Sequence, residues 1–467
     1  MSAVLKQSVK AAIEQAGINA SRILASHVAG KTYNTVPEAV VHAFQRTLLD
    51  FLTCAISGAA MPVSRALLGY YRESDTTRIA AVIGEGTRLS APNAALVTGA
   101  NTHGLDFDDG YTQGSAHPGG VIYPAVLSLA QQHGSKPADI QRAVIAGYDV
   151  MLRIAGAMHP STARRGFHNT PLAGVFGAAA ACASLLRLDE AGTLHALGMA
   201  GSFSSGIREY LDEGAEIKRI HPGKAARDGL LCAEFARHGI TGPSRILEGT
   251  NGFFRTHVDG PVKWGNLLED LGQRYEIATA YFKPYPCCRH YQSIIDGIKD
   301  LRAEHRFQPA DVEHIDLGLY AVGAQGHDHQ HVESLLEAQM SAPCAAALAV
   351  VMGDVSAPMF LPQTLEREDV KALMLRTTTR VDDECERIYP GVRSGHVAIG
   401  LRDGRRIEKR VIDPKGEKKN PMSDRDLEEK LIANCEPLIG RQRCDQLISQ
   451  VWAFGQLTDA SIFYRWP

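Results

Sequence analysis

Between Val36 and Ile56 apolar side chains return at helical spacing, at Val40, Phe44, Leu48, Phe51, Leu52 and Ala55, and Pro37 suits a first helical turn. Similar patterns over 137–157, 172–186, 189–204 and 224–238 predict further helices. One of them is unusual. The run Ala173-Gly-Val-Phe-Gly-Ala-Ala-Ala-Ala-Cys-Ala-Ser184 carries almost no bulk, and small residues let helix backbones approach closely, so this helix is expected at the centre of a helical bundle. The most apolar window, Ala342 to Met352, reads as another buried helix.

After about residue 272 the period changes. Val312–Leu319, 376–381 and 396–401 alternate apolar and polar residues, and the last reaches Asp403-Gly404 before a further strand over 406–412, a hairpin signal. This region reads as a smaller α+β domain. Ser423, followed by acidic residues, predicts an N-cap, so helices return toward the end of the chain.

Length supports the division, because 467 residues exceed what one simple core holds. A composition of 45% hydrophobic and 22% charged residues is that of an ordinary globular protein. A formal net charge of −3 argues against a nucleic-acid or anionic-membrane partner, and the short basic cluster Lys415-Gly-Glu-Lys-Lys419 reads as a solvated turn. The first residues lack a signal-peptide core, and no apolar run approaches the roughly 18–20 residues that span a bilayer, so a cytoplasmic location is expected. Nine scattered cysteines do not suggest a disulfide framework. Cys287-Cys288 has no CxxC partner and reads as a pair of buried, inert thiols. No GxGxxG or Walker-type loop supports nucleotide chemistry.

Four polar clusters carry the candidate chemistry. The first, His103-Gly-Leu-Asp106-Phe-Asp108-Asp109 followed by His117-Pro, crowds three carboxylates and two imidazoles between apolar segments. Such crowding tunes groups for proton transfer, but a solvated turn or a metal loop also fits the spacing. The second, Arg164-Arg165-Gly-Phe-His168, stands at a helix entry, where free amide donors suit an anionic substrate or the loop is simply capped. The third, Lys218-Arg-Ile-His221-Pro-Gly-Lys224-Ala-Ala-Arg227, is dense in cations and reads as carboxylate binding or as a basic turn at the entry of the next helix. The fourth, Phe282-Lys283-Pro-Tyr-Pro-Cys287-Cys288-Arg289, stiffens a lysine between prolines and aromatics, for carboxylate recognition or as a hinge. The tract His327-Asp-His-Gln-His331 reads as an exposed loop.

Together, and in this order, the four clusters resemble the MmgE/PrpD family, and Asp413-Pro-Lys-Gly-Glu-Lys-Lys-Asn-Pro-Met-Ser-Asp424 is similar to a late segment of it. The resemblance spans nearly the whole chain. It implies a mainly α fold: a large all-helical domain over 1–272 completed by 416–467, and a smaller α+β lid domain over 273–415. It also implies a homodimer, a site between the domains, and chemistry without metal or organic cofactor on a small polycarboxylate. Asp106, His117, His168, Lys218 and Lys283 match family positions implicated in the active site. On that basis His117 and His168 are expected as the acid–base pair, with Asp106 orienting an imidazole or taking part itself. Lys218 and Lys283, with Arg165, Arg289 and His221, are expected to hold substrate carboxylates.

The implied reaction is a lyase reaction, dehydration or decarboxylation, begun by proton transfer beside a carboxylate. The chain also departs from the family pattern. Gly110 follows Asp109 where members often read Asp-Asp-Thr, Cys288 stands where the decarboxylase has histidine, Gln292 replaces a further histidine with His290 close by, and 323–331 contains no tyrosine. These departures keep epimerisation of a dicarboxylate such as iminodisuccinate as the alternative.

Overall fold

The small-residue run forms a helix buried at every position from Asn169 to Leu185, in a computed structural model that describes residues 19–30 and 32–466. This helix is α5 of a set of helices of about six turns or fewer, α1 (Glu38–Gly58), α2 (Ala91–Thr102), α3 (Gly119–His133), α4 (Pro137–Met158), α5 (Asn169–Leu185), α6 (Glu190–Phe203) and α7 (Ile217–Arg237). Helix α5 is central and touches α3, α4, α6 and α7. Its lack of bulk explains the arrangement: a Cβ on Gly177 would lie 2.5 Å from that of Met151 on α4, and one on Gly229 of α7 would lie 2.4 Å from that of Ala178. Close approach of this kind gains dispersion contacts along whole helix faces.

Helix α7 starts earlier than its pattern predicts, at Ile217 rather than near Lys224, and runs through Pro222. A proline within the first two turns removes one backbone bond, from its own position to the carbonyl of Lys218. The cost is local, and the extension carries Lys218 and His221 on helical backbone instead of on a loop. Helix α1 is long and apolar enough by length and composition to cross a membrane, which the run-length expectation missed; two thirds of that window is buried inside the molecule, so packing accounts for its character.

The second apolar core begins at Tyr285 and ends at Ile407. It is built on a four-stranded sheet, β1 (Val312–Leu319), β2 (Thr377–Val381), β3 (Gly395–Leu401) and β4 (Arg406–Val411), in the order β2-β1-β3-β4. Strands β1 and β2 are parallel and the other pairs antiparallel, with Ile315 between Thr377 and Ile399 in register. The β3–β4 hairpin turns where Asp403-Gly404 predicts it, with Gly404 at φ +86°. Helix α8 (Gln292–His305) lies across β3 and β4, and at Gly297 it comes so near that a Cβ would meet Val397 at 2.8 Å. Helix α9 (Ala342–Met352) packs against α8 and is buried from Ala342 to Val350.

Helices α10 (Asp424–Ile439) and α11 (Arg441–Trp452) return to the first core, where Leu427, Leu431 and Leu447 join side chains of α1. Ser423 caps α10 as expected, accepting from the backbone N–H of Asp426 in a capping box. A buried and a half-buried ion pair fasten this return: Lys430 meets Asp50 of α1 at 2.7 Å, and Arg289 meets Glu417 at 3.1 Å. The fold is mainly α with a small α+β part.

Candidate active site

Residues 103–118 connect α2 to α3, and all three of their aspartates are buried. Asp106 lies at φ +51°, a left-handed conformation that turns its carboxylate back toward α7. Its Oδ1 accepts from Lys218 Nζ and from Lys283 Nζ, both at 2.9 Å, and Lys283 also donates to the Asp106 carbonyl at 2.8 Å. Burial opposes the charge on Asp106, but the two ammonium groups outweigh it and hold the carboxyl well below its ordinary range. Burial pulls Lys218 below the usual lysine value. For Lys283 burial is outweighed by Asp106 and Asp108, and its ammonium is pushed above that value.

The hydrogen bonds assign the imidazole tautomers. An ammonium has no lone pair, so His103 Nε2 accepts from Lys218 Nζ at 3.1 Å and its Nδ1–H donates to Asp108 at 2.9 Å. His117 Nδ1–H donates to the Asp109 carbonyl at 2.8 Å, which leaves the Nε2 lone pair free. His168 and His221 share a proton between their Nδ1 atoms at 2.9 Å. Burial, then the Lys283 charge, brings His117 down to about 3, and burial and Lys218 bring His221 down to about 4. His168 is also far below its ordinary value, through burial and His221. All three imidazoles are neutral at pH 7.

Asp106, His117, His168, Lys218 and Arg289 border one cavity, with a small space of about 50 Å³ open to the centres of water molecules, which suits a compact acid. Much of its remaining wall comes from the second core and from 204–211, including Arg208, Tyr210, Cys288, His290, His327 and Arg393. The structure thus brings together five of the eight expected residues. Lys283 is fully buried one layer behind, occupied by Asp106. His221 also lies behind, as the proton-sharing neighbour of His168. Arg165 lies outside the cavity, exposed, stacked on Phe167 and bonded to the Thr256 carbonyl. Arg289 borders the cavity, but its N–H groups are taken by Glu417, Gln292 and the carbonyls of Pro414 and Lys415. Asp106 makes no hydrogen bond to an imidazole; Asp108 orients His103, and the Asp109 backbone orients His117.

Other residues were missed by sequence reasoning. His327 is buried, not in an exposed loop: its Nδ1–H donates to the Met340 carbonyl at 2.8 Å, and its Nε2 is 4.0 Å from Cys288 Sγ. Cys288 borders the cavity, whereas Cys287 is buried beside Gln292 as expected of an inert thiol. Burial raises the Cys288 thiol above its ordinary value, so it carries its proton. His290 bonds the Tyr320 hydroxyl at 2.7 Å. Tract density could have marked His327, but Arg393 and Arg208 stand in no motif.

The departures at 110 and 292 have structural counterparts. A Cβ on Gly110 would lie 2.3 Å from the Tyr281 ring, and the two backbones form an antiparallel bridge. Tyr281 fills the space that a threonine at 110 would use. Gln292 accepts from Arg289 and donates to the carbonyls of Tyr285 and Cys287, so it holds the crossing segment. Two triads bring potential metal-ligand atoms within 4.8 Å of each other, Cys288–His290–His327 and His103–Asp108–His117. Each stands beside fixed cations, Arg393 and Arg208 for the first and Lys218 and Lys283 for the second, which disfavour a further positive ion there.

A helical core and an α+β core meet at a cavity walled by imidazoles and cations, in a mainly α fold with a small α+β part. The chain belongs to the MmgE/PrpD family: the family's N-terminal domain matches residues 22–264 and its C-terminal domain matches residues 285–453. Among its relatives, the cis-aconitate decarboxylase-like protein oryM of Aspergillus oryzae is 26% identical over 450 residues, 91% of this chain and 92% of its own length. The cis-aconitate decarboxylase of Aspergillus terreus is 25% identical over 449 residues, 91% of each chain. That of Homo sapiens is 23% identical over 449 residues, 94% of this chain and 92% of its own.

Proposed function

We propose that the protein is a lyase that moves a proton at a carbon beside a carboxylate of a small di- or tricarboxylate and expels water or carbon dioxide, using its own side chains without a metal or organic cofactor. The observation that carries this reading is the pair His117 and His168, both neutral, both with Nδ1 committed to a fixed partner, and both bordering one cavity. In a dehydration one neutral imidazole removes the α-proton and the other, entering as imidazolium, protonates the departing hydroxide and is left neutral. In a decarboxylation an imidazolium delivers a proton to one end of a C=C bond while the bond to the leaving carboxylate breaks and the double bond re-forms one carbon along. The names of the relatives favour the second.

A base held near 3 is weak at neutral pH, and an anionic substrate corrects this. Carboxylates beside the imidazoles favour their charged form and bring their basicity up toward the working pH. The base is therefore switched on by the substrate that needs it. A second reading, epimerisation of a dicarboxylate such as iminodisuccinate, is favoured by Cys288: it brings a protonated group to the cavity from the second core, beside His327 Nε2. Removing a proton on one face and returning one to the other needs two such groups.

Incubation with a panel of polycarboxylates in D2O, followed by NMR, tests both. Loss of water or carbon dioxide is expected; deuterium incorporation with inversion and no loss would favour the epimerase. If no acid exchanged or turned over, both readings would fall. His117→Ala and His168→Ala should each lower kcat about 100-fold or more.

A further inference from the structure

Arg393 is 3% exposed, and neither its Nε nor its Nη2 finds a hydrogen-bond partner among the described residues. No carboxylate lies within ion-pair distance of it there either. Its guanidinium lies over the Tyr281 ring at 5.7 Å and borders the same cavity as His117 and His168. Its loop is held in place: the Tyr389 hydroxyl is 2.8 Å from His159 Nε2, and the Tyr389 ring stacks on Tyr320 at 4.1 Å. His159 Nδ1 accepts from Asn169, whose amide also donates to the Gly114 carbonyl, so the Tyr389 contact reaches the backbone of the 103–118 segment.

A buried cation without a counter-ion is costly, and a fixed one beside a cavity is a site that a ligand completes. Most of the other cations already have protein partners. Lys218 and Lys283 share Asp106, Arg289 is spent on Glu417 and three neighbours, and Arg219 holds the Gly104 carbonyl and Gln339. Arg208 is the remaining cation on the cavity wall and has no acidic partner among the described residues.

We propose that Arg393 is the principal carboxylate-binding residue of this cavity, with Arg208 beside it, in place of the lysine pair that the sequence suggests. A planar fork of donors matches a carboxylate, and the Tyr281 ring covers one side of the guanidinium. The substrate then carries one carboxylate at Arg393 that takes no part in the reaction and a second beside the reacting carbon. The choice of a carboxylate as the anion rests on the acid–base reading proposed above.

Calorimetric titration of tricarballylate, an unreactive tricarboxylate, into the wild type, Arg393→Met and Arg393→Lys tests the assignment, together with the Tm of each free protein. The methionine variant should bind at least tenfold more weakly, with a Tm equal to or above the wild type, because an unpaired buried charge has been removed. Lysine should fall between the two, since it keeps the charge and loses the fork. Three outcomes would overturn the proposal: no binding to the wild type, unchanged affinity in Arg393→Met, or weakened binding with a Tm several degrees lower, the mark of a structural role. Binding is read without turnover. A wild type that binds tricarballylate yet exchanges no proton in any acid would refute the proposed reaction and leave this subsite standing.

Discussion

At Asp106 one carboxylate is shared by two ammonium groups from different parts of the chain. Asp106→Asn should cost about 3–5 kcal/mol, because Lys218 and Lys283 stay buried without the carboxylate that both contact. Asparagine tolerates the positive φ, so the drop in denaturation midpoint would report the charge and not the backbone. Gly110→Thr should lower the Tm by several degrees through the collision with Tyr281, and Tyr281→Ala should recover part of that loss in a double-mutant cycle. Residues of this kind mark where sequence reading stops. His117, His168 and Lys218 were legible because they sit in dense polar clusters. Arg393 was not, since an arginine in Pro390-Gly-Val-Arg393 looks solvated until Tyr281, Tyr320 and Tyr389 are seen around it. Nor does spacing reveal that Lys283 points at a neighbouring carboxylate instead of at a ligand.

Helices and strands were legible where a period was clean. The helix over 137–158, the strand Val312–Leu319 and the Ser423 cap lie where their patterns put them. Helix α7 was mistaken because Pro222 reads as a boundary, whereas packing against α2 and α5 outweighs the one lost backbone bond. That packing has a narrow tolerance. Helices α2 and α7 cross at Gly99 and Gly223, where a Cβ on Gly223 would lie 2.0 Å from the Leu96 carbonyl oxygen. Gly223→Ala must push the helices apart, so it should cost about 1–3 kcal/mol or more. Lys218 rides on the same helix, so kcat should fall even at temperatures where the variant is fully folded, which circular dichroism and steady-state kinetics on one sample would establish.

For the molecule as a whole, the buried imidazoles set the response to acid. His117 titrates near 3, and His221 and His327 near 4, against 6.5 when unfolded. Below pH 6.5 the unfolded chain takes up protons that the folded one refuses, so stability is fully present above that value and is lost as pH falls toward 4. Each imidazole contributes about 1.4 kcal/mol per pH unit in that window. His103, His159, His168 and His290 move in the same direction, while Asp50, Asp108 and Asp109 move the other way and offset part of the loss. Against a typical total of about 5–15 kcal/mol, the protein should unfold between pH 6.5 and 4. The acid limb of kcat/KM should then be steeper than one proton allows and should coincide with the loss of near-ultraviolet circular dichroism; a unit slope with intact structure would contradict this. The return of α10 and α11 to α1 has a consequence for synthesis. At roughly 5–20 residues per second, the 365 residues between Gly58 and Asp424 keep the ribosome occupied for about 20–70 seconds. Helices α2 and α3 follow soon after it, but throughout that interval the helix with the most membrane-like composition lacks the last of the partners that cover it. Residues 424–452 complete that cover, so a stop codon placed just before Asp424 should yield aggregate instead of a shortened enzyme.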